Sequence, residues 1–424
     1  MSNAPRTAGQ PEITEDLVRA LPKTDLHVHL DGSLRMETLI DLARQRQVEL
    51  PSYTPEGLGE LVFKERYANL GEYLVGFQYT TAVLRDPEAL ERVAYELARD
   101  NQEEGVRYIE VRFAPQLHVL DGLDVQEVCA AVDHGLSRAA AEFNAGEAVR
   151  DGREPAFHYG LIVCAMRMFT GAMSTYFRQL LTVHSESPHG RVAGLASLEL
   201  ARAAVRVRDE SGLPIVAFDL AGQENGYPAI DHVEAYRFAH RHFLNKTVHA
   251  GEAYGPESIF QAITALHADR IGHGYHLFSR QLVDRGKVAD PDAYVTALAE
   301  YIADRRTCLE VCITSNLQTN PDLQAAEQHP FREMLKRKLS VTLCTDNRLI
   351  SRTSVTREIL QAVQAFGLDL RDLKNVVIYG FKRSFFPGTY MEKRSYVRQA
   401  ADHYEQVERA ALPGQSATPR PSTD

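Results

Sequence analysis

Hydrophobic residues of this chain concentrate in eight short segments, separated by longer stretches in which apolar and polar positions alternate with a helical period. Each segment is four to eight residues long, rich in Val, Ile, Leu or Phe, and bounded by Gly, Pro or polar residues. Such nearly continuous apolar runs are typical of strands buried on both faces of a parallel sheet. The predicted strands are Asp25–His29, Arg107–Phe113, His158–Ala165, Ile215–Leu220, Thr247–Ala250, Arg270–Gly274, Cys308–Ile313 and Val341–Thr345.

Amphipathic helical patterns lie between and after these segments. They cover Gln126–Phe143, Ser197–Asp209, Asp231–His242, Pro256–His267, Thr353–Ala365 and, near the end, Met391–Ala411. Strand and helix alternating eight times predict an α/β fold of the closed (β/α)₈ TIM-barrel type, in which active residues lie at the carboxyl ends of the strands.

One connection is much longer than the others. The first two strands are separated by a segment of about residues 35–105 with helical patterns at Met36–Arg44, Asn69–Leu84 and Pro87–Glu104. Because it leaves the barrel at the carboxyl end of a strand, we expect it to form a helical lid. We expect one barrel domain over residues 16–411, a surface loop at Gly146–Pro155, and flexible polar tails at 1–15 and 412–424.

Composition narrows the classes of function. A net charge of −10 without a basic cluster argues against a nucleic-acid partner. The chain begins without a signal-peptide pattern and has no apolar run long enough to cross a bilayer, so no membrane partner is expected. Five cysteines without a CxxC pair indicate reduced, buried thiols. These features favour a cytoplasmic protein and leave its oligomeric state open.

Four residues at predicted strand ends have the chemistry of metal ligands. His27 and His29, two residues apart on one strand, point to the same face. His249 and Asp346 end two other strands, and strand ends of a barrel converge on one mouth. A set of three imidazoles and one carboxylate suits a single Zn²⁺ with a water completing its coordination. The pair His240 and His242 has the same spacing but lies in a helical pattern, where the side chains diverge.

Two further residues supply acid–base groups. Glu252 follows His249 where the chain leaves its strand, and His273 ends the sixth strand. Zinc lowers the pKa of a bound water to about 7, so a nearby base can complete its deprotonation. A carboxyl kept protonated by burial can donate to a leaving group or to a ring nitrogen. A helix-capping role for Glu252 is the competing interpretation.

These residues resemble the adenosine deaminase family of the amidohydrolase superfamily. The matching segments occur in family order: LPKTDLHVHLDGS (Leu21–Ser33), YIEVRFAP (Tyr108–Pro115), MR (Met166–Arg167), FDLAG (Phe218–Gly222), HAGE (His249–Glu252), RIGHG (Arg270–Gly274), EVC (Glu310–Cys312) and TDN (Thr345–Asn347). The resemblance covers nearly all of the chain between its tails.

The resemblance implies a role for each matching residue. The zinc ligands would be His27, His29, His249 and Asp346. Glu252 would protonate the purine N1, and His273, assisted by Asp346, would orient or deprotonate the attacking water. The predicted substrate-binding residues are His29, Asp31 for a ribose hydroxyl, Gly222 for the purine N3, and Asn347. Hydroxide attack on C6 and loss of ammonia would convert adenosine to inosine.

Asn347 departs from the commonest family pattern, in which a second aspartate contacts the purine N7. N7 of a neutral purine only accepts hydrogen bonds, and an Asn amide donates without needing a proton. The change is chemically tolerable, but it leaves the choice among 6-aminopurine compounds open.

Several functions remain possible on this evidence. Adenosine and 2′-deoxyadenosine are the favoured substrates, and adenine, an N6-substituted adenine nucleotide or aminodeoxyfutalosine are the alternatives within the same chemistry. A purine-binding protein without catalysis would be expected to lack a ligand, the acid or the base, and none is missing. An amidohydrolase acting on an unrelated C–N or ester bond is opposed only by the resemblance.

Overall fold

A parallel eight-stranded barrel forms the centre of the computed structural model, which describes residues 12–120 and 122–411. The strands pair in sequence order from first to eighth. A bridge between Val28 of the first strand and Asp346, in the loop after the eighth, brings the two ends of the sheet together. The predicted (β/α)₈ fold is confirmed. The strands are β1 Lys23–His29, β2 Val106–Phe113, β3 His158–Met166, β4 Ile215–Ala221, β5 Asn245–Ala250, β6 Arg270–His273, β7 Cys308–Val311 and β8 Val341–Leu343.

The strands are almost wholly buried, as their apolar composition predicts. Strands β7 and β8 end two residues earlier than predicted, and helix α14 begins at Ile313, where the predicted seventh strand still continued. Asp346 therefore lies in the loop after β8, held by main-chain pairing to β1.

Helices surround the barrel and connect its strands. Outside the β1–β2 connection they are α1 Glu15–Ala20, α7 Val125–Asn144, α8 Glu147–Arg150, α9 Thr175–Val183, α10 His189–Ser211, α11 Val233–Arg241, α12 Pro256–Thr264, α13 Pro291–Arg305, α14 Ile313–Thr319, α15 Phe331–Lys336, α16 Val355–Phe366, α17 Leu370–Arg383 and α18 Tyr390–Ala411. Most begin with a side-chain cap, such as the capping box of Asp124 and Glu127 before α7.

The β1–β2 connection contains five helices, α2 Met36–Gln45, α3 Pro55–Leu61, α4 Leu70–Leu74, α5 Phe77–Val83 and α6 Pro87–Glu103. The predicted single helix at Asn69–Leu84 is wrong: it is divided into α4 and α5 around Gly76. A glycine at this point has the weakest helical preference of any residue except proline. Helix α6 packs against α7 on the outside of the barrel.

Other boundaries also differ from the prediction. The amino-terminal tail was predicted to extend to residue 15, but Ile13 is buried and α1 begins at Glu15. The predicted loop Gly146–Pro155 contains the short helix α8, and α10 begins eight residues before Ser197. The rest of the predicted tails, residues 1–11 and 412–424, lies outside the described residues. Among the described helices, none combines the length and apolar content that crossing a membrane requires.

Candidate active site

The four predicted metal ligands converge at the carboxyl end of the barrel. His27, His29, His249 and Asp346 each place one ligand atom within 4.8 Å of the others, and all four side chains are buried. Asp346 Oδ1 lies 3.4 Å from His27 Nε2 and 3.5 Å from His29 Nε2, and His29 Nε2 lies 3.1 Å from His249 Nε2. Residues 319 positions apart in sequence, 27 and 346, are thus neighbours in one cluster.

Main-chain hydrogen bonds determine this placement. The Asp346 amide donates to the His27 carbonyl at 2.8 Å, and the His29 amide donates to the Asp346 carbonyl at 2.7 Å. Asp346 and His273 have φ values of 60° and 63°, in the left-handed region that non-glycine residues rarely occupy. Such backbone conformations persist where the surrounding structure holds a side chain in a functional position.

Each of two histidines is oriented by a carboxylate deeper in the barrel. Glu310 on β7 lies 2.7 Å from His27 Nδ1, and Asp219 on β4 lies 3.1 Å from His249 Nδ1. Arg112 on β2 joins the two carboxylates with ion pairs of 2.9 Å each. A carboxylate on one ring nitrogen leaves the other nitrogen as the lone-pair donor toward the cluster, the arrangement common around protein-bound metals.

Sequence reasoning assigned no role to Glu310, Asp219 or Arg112. The available signal was a charged residue at a wholly buried position within an otherwise apolar strand. Such a charge requires a partner inside the barrel, but the partner's identity is not readable from the sequence.

The cluster fits a metal ion. His27 Nε2 points into it and, within the described residues, has no hydrogen-bond partner. Burial lowers the pKa of His29 and of His249, which favours the neutral imidazole that a metal requires. The other oxygen of Asp346, Oδ2, accepts a hydrogen bond of 2.7 Å from Ser315 Oγ. The four donor atoms are thus oriented and gathered around one point.

Glu252 and His273 lie beside this cluster. Glu252 Oε1 is 3.6 Å from His273 Nε2, and both residues have an atom within 4.8 Å of Asp346. Burial, and then the neighbouring carboxylates of Asp346 and Glu224, raise the pKa of Glu252 well above its usual value. Burial lowers the pKa of His273 well below its usual value. These shifts favour a protonated carboxyl beside a neutral imidazole.

Glu224 holds the loop that carries Glu252. Its carboxylate accepts from four consecutive main-chain amides, those of residues 251–254, at 2.8–3.0 Å, and from the hydroxyl of Ser258. Helix α12 begins only at Pro256. Its N-cap is Gly255, and no side chain forms a capping hydrogen bond there, so Glu252 does not cap this helix and its carboxyl faces the cluster.

A hydrogen-bond chain sets the tautomer of His273. The Phe331 amide donates to His329 Nδ1 at 3.1 Å, so the proton of the neutral His329 ring is on Nε2. Burial lowers the pKa of His329 to about 3, which keeps the ring neutral. His329 Nε2 then donates to Asn316 Oδ1 at 3.1 Å, and Asn316 Nδ2 donates to His273 Nδ1 at 3.3 Å. His273 therefore carries its proton on Nε2, the nitrogen that faces Glu252.

The predicted substrate-binding residues surround the same mouth. Asp31 follows β1 and is buried. Its Oδ1 accepts no hydrogen bond from the described residues and lies 4.0 Å from His29 Nδ1, and burial raises its pKa to about 7. Gly222 directly follows β4 with a φ of 98°. Asn347 follows Asp346, and its Nδ2 lies 2.8 Å from the hydroxyl of Tyr73 on α4.

The long connection between β1 and β2 reaches the cluster. Besides the Tyr73 contact with Asn347, the ring of Phe77 on α5 lies edge-on to His29 with centroids 6.4 Å apart. Tyr73 also contacts Ser351 Oγ at 2.9 Å. Two helices of the insertion therefore border the mouth of the barrel, where the predicted lid was expected to lie.

Comparison with known proteins agrees with this geometry. The sequence model of the family described as Adenosine deaminase matches residues 22–399. An "Adenosine deaminase" of Mycolicibacterium vanbaalenii is 37% identical over 377 residues, which are 88% of this chain and 92% of the relative.

Two solved structures share the fold. An amidohydrolase from Burkholderia ambifaria with bound Zn superposes with a TM-score of 0.73 at 21% identity, covering 95% of this chain and 96% of the other. The N6-methyl-AMP deaminase of Arabidopsis thaliana superposes with a TM-score of 0.69 at 23% identity, covering 95% and 100%. The family match extends over most of the sequence and agrees with the fold: the chain belongs to the adenosine deaminase family and is a hydrolytic deaminase.

Proposed function

We propose that the protein deaminates adenosine and 2′-deoxyadenosine hydrolytically, giving inosine and 2′-deoxyinosine with ammonia, and holds one Zn²⁺ per chain. The observation that carries the proposal is the convergence of two groups on one mouth. The ligand set His27, His29, His249 and Asp346 adjoins the acid–base set Glu252, His273 and Asp346. The Mycolicibacterium relative, named adenosine deaminase, supports the choice of substrate.

The first set would hold the metal. Three imidazoles and one carboxylate form the nitrogen and oxygen donor set that zinc prefers, and the superposed Burkholderia protein contains bound Zn. When bound there, zinc makes water a stronger acid and so a competent nucleophile at neutral pH.

The side chains of this chain supply the proton transfers. Glu252, protonated because it is buried among carboxylates, donates its proton to N1 of the purine, which makes C6 electrophilic. His273 Nε2–H donates a hydrogen bond to the oxygen that adds to C6 and holds it on the correct face. The added water supplies the oxygen of the product and gives up its two protons. Asp346 accepts one and passes it to the amino group, which leaves as ammonia when the C6–N6 bond breaks, and the other restores the proton that Glu252 gave to N1.

Asp31 favours a nucleoside over free adenine or a nucleotide. Its buried carboxyl has an oxygen, Oδ1, that accepts no hydrogen bond from the described residues, and a ribose hydroxyl can donate to it. The same carboxyl, when ionised, repels a 5′-phosphate. Specificity for the sugar is thus expected to come from the loop after β1.

A panel of substrates tests the proposed function. Purified, zinc-loaded protein is assayed for the ultraviolet change and for amine release with adenosine, 2′-deoxyadenosine, adenine, AMP, N6-methyl-AMP and aminodeoxyfutalosine; the amine is methylamine for N6-methyl-AMP and ammonia for the others. We expect rapid turnover of the two nucleosides and little of the others. Turnover of only one of the other compounds would make that compound the substrate. No turnover of any of them with zinc bound would contradict a catalytic function.

The tautomer of His273 makes a first prediction. Replacing Asn316 by Asp puts a carboxylate opposite Nδ1, which attracts the ring proton to Nδ1 and removes it from Nε2. We expect kcat to fall about 10²-fold, the loss typical of removing one donor to a developing oxyanion. Zinc content and the circular dichroism spectrum serve as controls. An unchanged kcat would contradict the donor role of His273.

The contact of Asn347 with the base makes a second prediction. One hydrogen of its amide is engaged by Tyr73, and the other remains to donate to N7. We expect a 7-deaza analogue to bind the wild type about tenfold more weakly than its parent, and Asn347→Ala to discriminate little between the two. A 1-deaza analogue, which tests a different ring atom, should lose equal affinity in both proteins. If the wild type and Asn347→Ala lost equal affinity for the 7-deaza analogue, the contact would be refuted.

A further inference from the structure

A second cavity lies at the opposite end of the barrel from the candidate active site. Its volume is about 630 Å³, within the range of small-molecule sites. It lies under the amino ends of β5, β6 and β7, between the carboxyl ends of α13 and α17 and the beginning of α18. None of the residues assigned to the deaminase site lines it.

The lining of this basal cavity is strongly cationic. It contains six Arg or Lys side chains and one carboxylate, in a protein with a net charge of −10. The cations are Arg270, Arg305, Arg306, Lys382, Arg383 and Lys393. The carboxylate, Asp269, is already paired with Lys246 at 2.8 Å. The cavity therefore has a large positive excess.

Three of these cations have no acidic partner among the residues that the structure describes. Within residues 12–120 and 122–411, no carboxylate forms an ion pair with Arg305, Arg306 or Arg383, and Arg383 Nε is buried without an acceptor. Burial, and then the charges of Arg383 and Arg306, lower the pKa of Lys382. Arg305 and Arg306 are exposed and Arg383 is half-buried, so their charges are available to attract an anion into the cavity.

The floor of the cavity is rigidly held. Arg270, paired with Glu110 and Glu310 inside the barrel, donates to the Arg383 carbonyl at 3.0 Å and lies 3.7 Å above the centroid of the Phe385 ring. Lys393 Nζ donates to the Ser384 carbonyl at 2.6 Å. The end of α17, which carries two of the cations, and the segment that follows it are therefore positioned before any ligand arrives.

Helix dipoles offer a competing explanation. Arg305 and the pair Lys382–Arg383 lie in the last turns of α13 and α17, where a cation stabilises the negative end of a helix. This accounts for a cation at each helix end. It does not account for Arg306 beyond the end of α13, for Lys393 in the first turn of α18, or for their meeting in one concave space.

We propose that the basal cavity binds a small organic molecule carrying two phosphate groups. Two separate positions, Arg305 with Arg306 and Lys382 with Arg383, flank the cavity, and Lys393 lies beside the second. Apart from Arg270 and Lys382, the lining has four cations, Arg305, Arg306, Arg383 and Lys393, which match the roughly four negative charges of a bisphosphate better than the two of a single phosphate. Guanidinium groups recognise phosphate oxygens with two parallel hydrogen bonds. This site is independent of the deaminase reaction.

Calorimetric titration of full-length, zinc-loaded protein with fructose 1,6-bisphosphate tests the proposal, with sodium chloride keeping the ionic strength constant. We expect saturable binding at one site, and at least tenfold weaker binding in Arg306→Gln/Arg383→Gln. The control Arg178→Gln/Arg202→Gln removes two exposed charges outside the cavity and should bind as the wild type does. Inorganic phosphate is expected to bind more weakly than the bisphosphate.

A second measurement does not depend on the variant folding well. In the wild type, the bisphosphate should protect Arg306 and Arg383 from modification by phenylglyoxal, followed by mass spectrometry, while Arg178 and Arg202 stay reactive. Absence of saturable binding, or equal binding by the cavity variant with no protection, would overturn the proposal. The first result would leave the dipole explanation, and the second would locate the anion elsewhere.

Discussion

Replacing Glu252 by Gln is expected to lower kcat for adenosine about 10³-fold while zinc remains bound. General acid catalysis by one positioned carboxyl typically contributes 10²–10⁴-fold. Gln has nearly the same shape and still donates hydrogen bonds, but it has no acidic proton to transfer to N1. Because Glu252 is not among the four predicted metal ligands, the metal content should not change.

A neighbouring carboxylate provides the matched control for this prediction. Glu257 lies five residues later, in the first turn of α12, and belongs to neither cluster at the mouth. Glu257→Gln should retain nearly wild-type kcat and zinc content. Near-normal turnover of Glu252→Gln would remove Glu252 from the acid role, and loss of zinc from it would mean that this carboxyl contributes to the metal site.

Replacing His249 by Ala is expected to abolish stable metal binding. We expect kcat to fall at least 10³-fold as a result, since the metal supplies the activated water. We expect the variant to purify with substoichiometric zinc. In the wild type, Nε2 of His249 lies 3.1 Å from Nε2 of His29. The alanine variant lacks this nitrogen and keeps only three of the four donors. Metal analysis by mass spectrometry, together with kcat, measures both effects.

Thermal unfolding adds a readout that does not depend on activity. A metal that binds only the folded state stabilises it, so chelation should lower the Tm of the wild type and have little effect on His249→Ala. The exposed His240, which stacks on His267 outside the cluster, provides the control variant His240→Ala. Full zinc occupancy in His249→Ala would contradict the ligand set.

The amino-acid sequence by itself determined the barrel and the composition of its mouth. Buried parallel strands have a recognisable apolar pattern, and residues that end such strands must meet, because all eight carboxyl ends lie on one side of the barrel. His27, His249, His273 and Asp346 could therefore be grouped before any distance was known. Their predicted roles remain predictions that the variants above test.

The helical connections were less predictable. Asn69–Leu84 has a helical pattern throughout, yet the chain forms two helices there and presents Tyr73 and Phe77 to the mouth. Local propensity is similar for one helix or two, and packing against the barrel decides between them.

Only the tertiary structure identified the partners of the site residues. Glu310 with His27 and Glu224 with the loop of Glu252 are contacts between elements distant in sequence. The basal cavity likewise gathers cations from three separate helix ends. From the sequence it can be inferred that a buried charged side chain needs a partner, but several residues of opposite charge could be that partner. The choice among them depends on strand register and helix packing, which arise from the whole chain folding together.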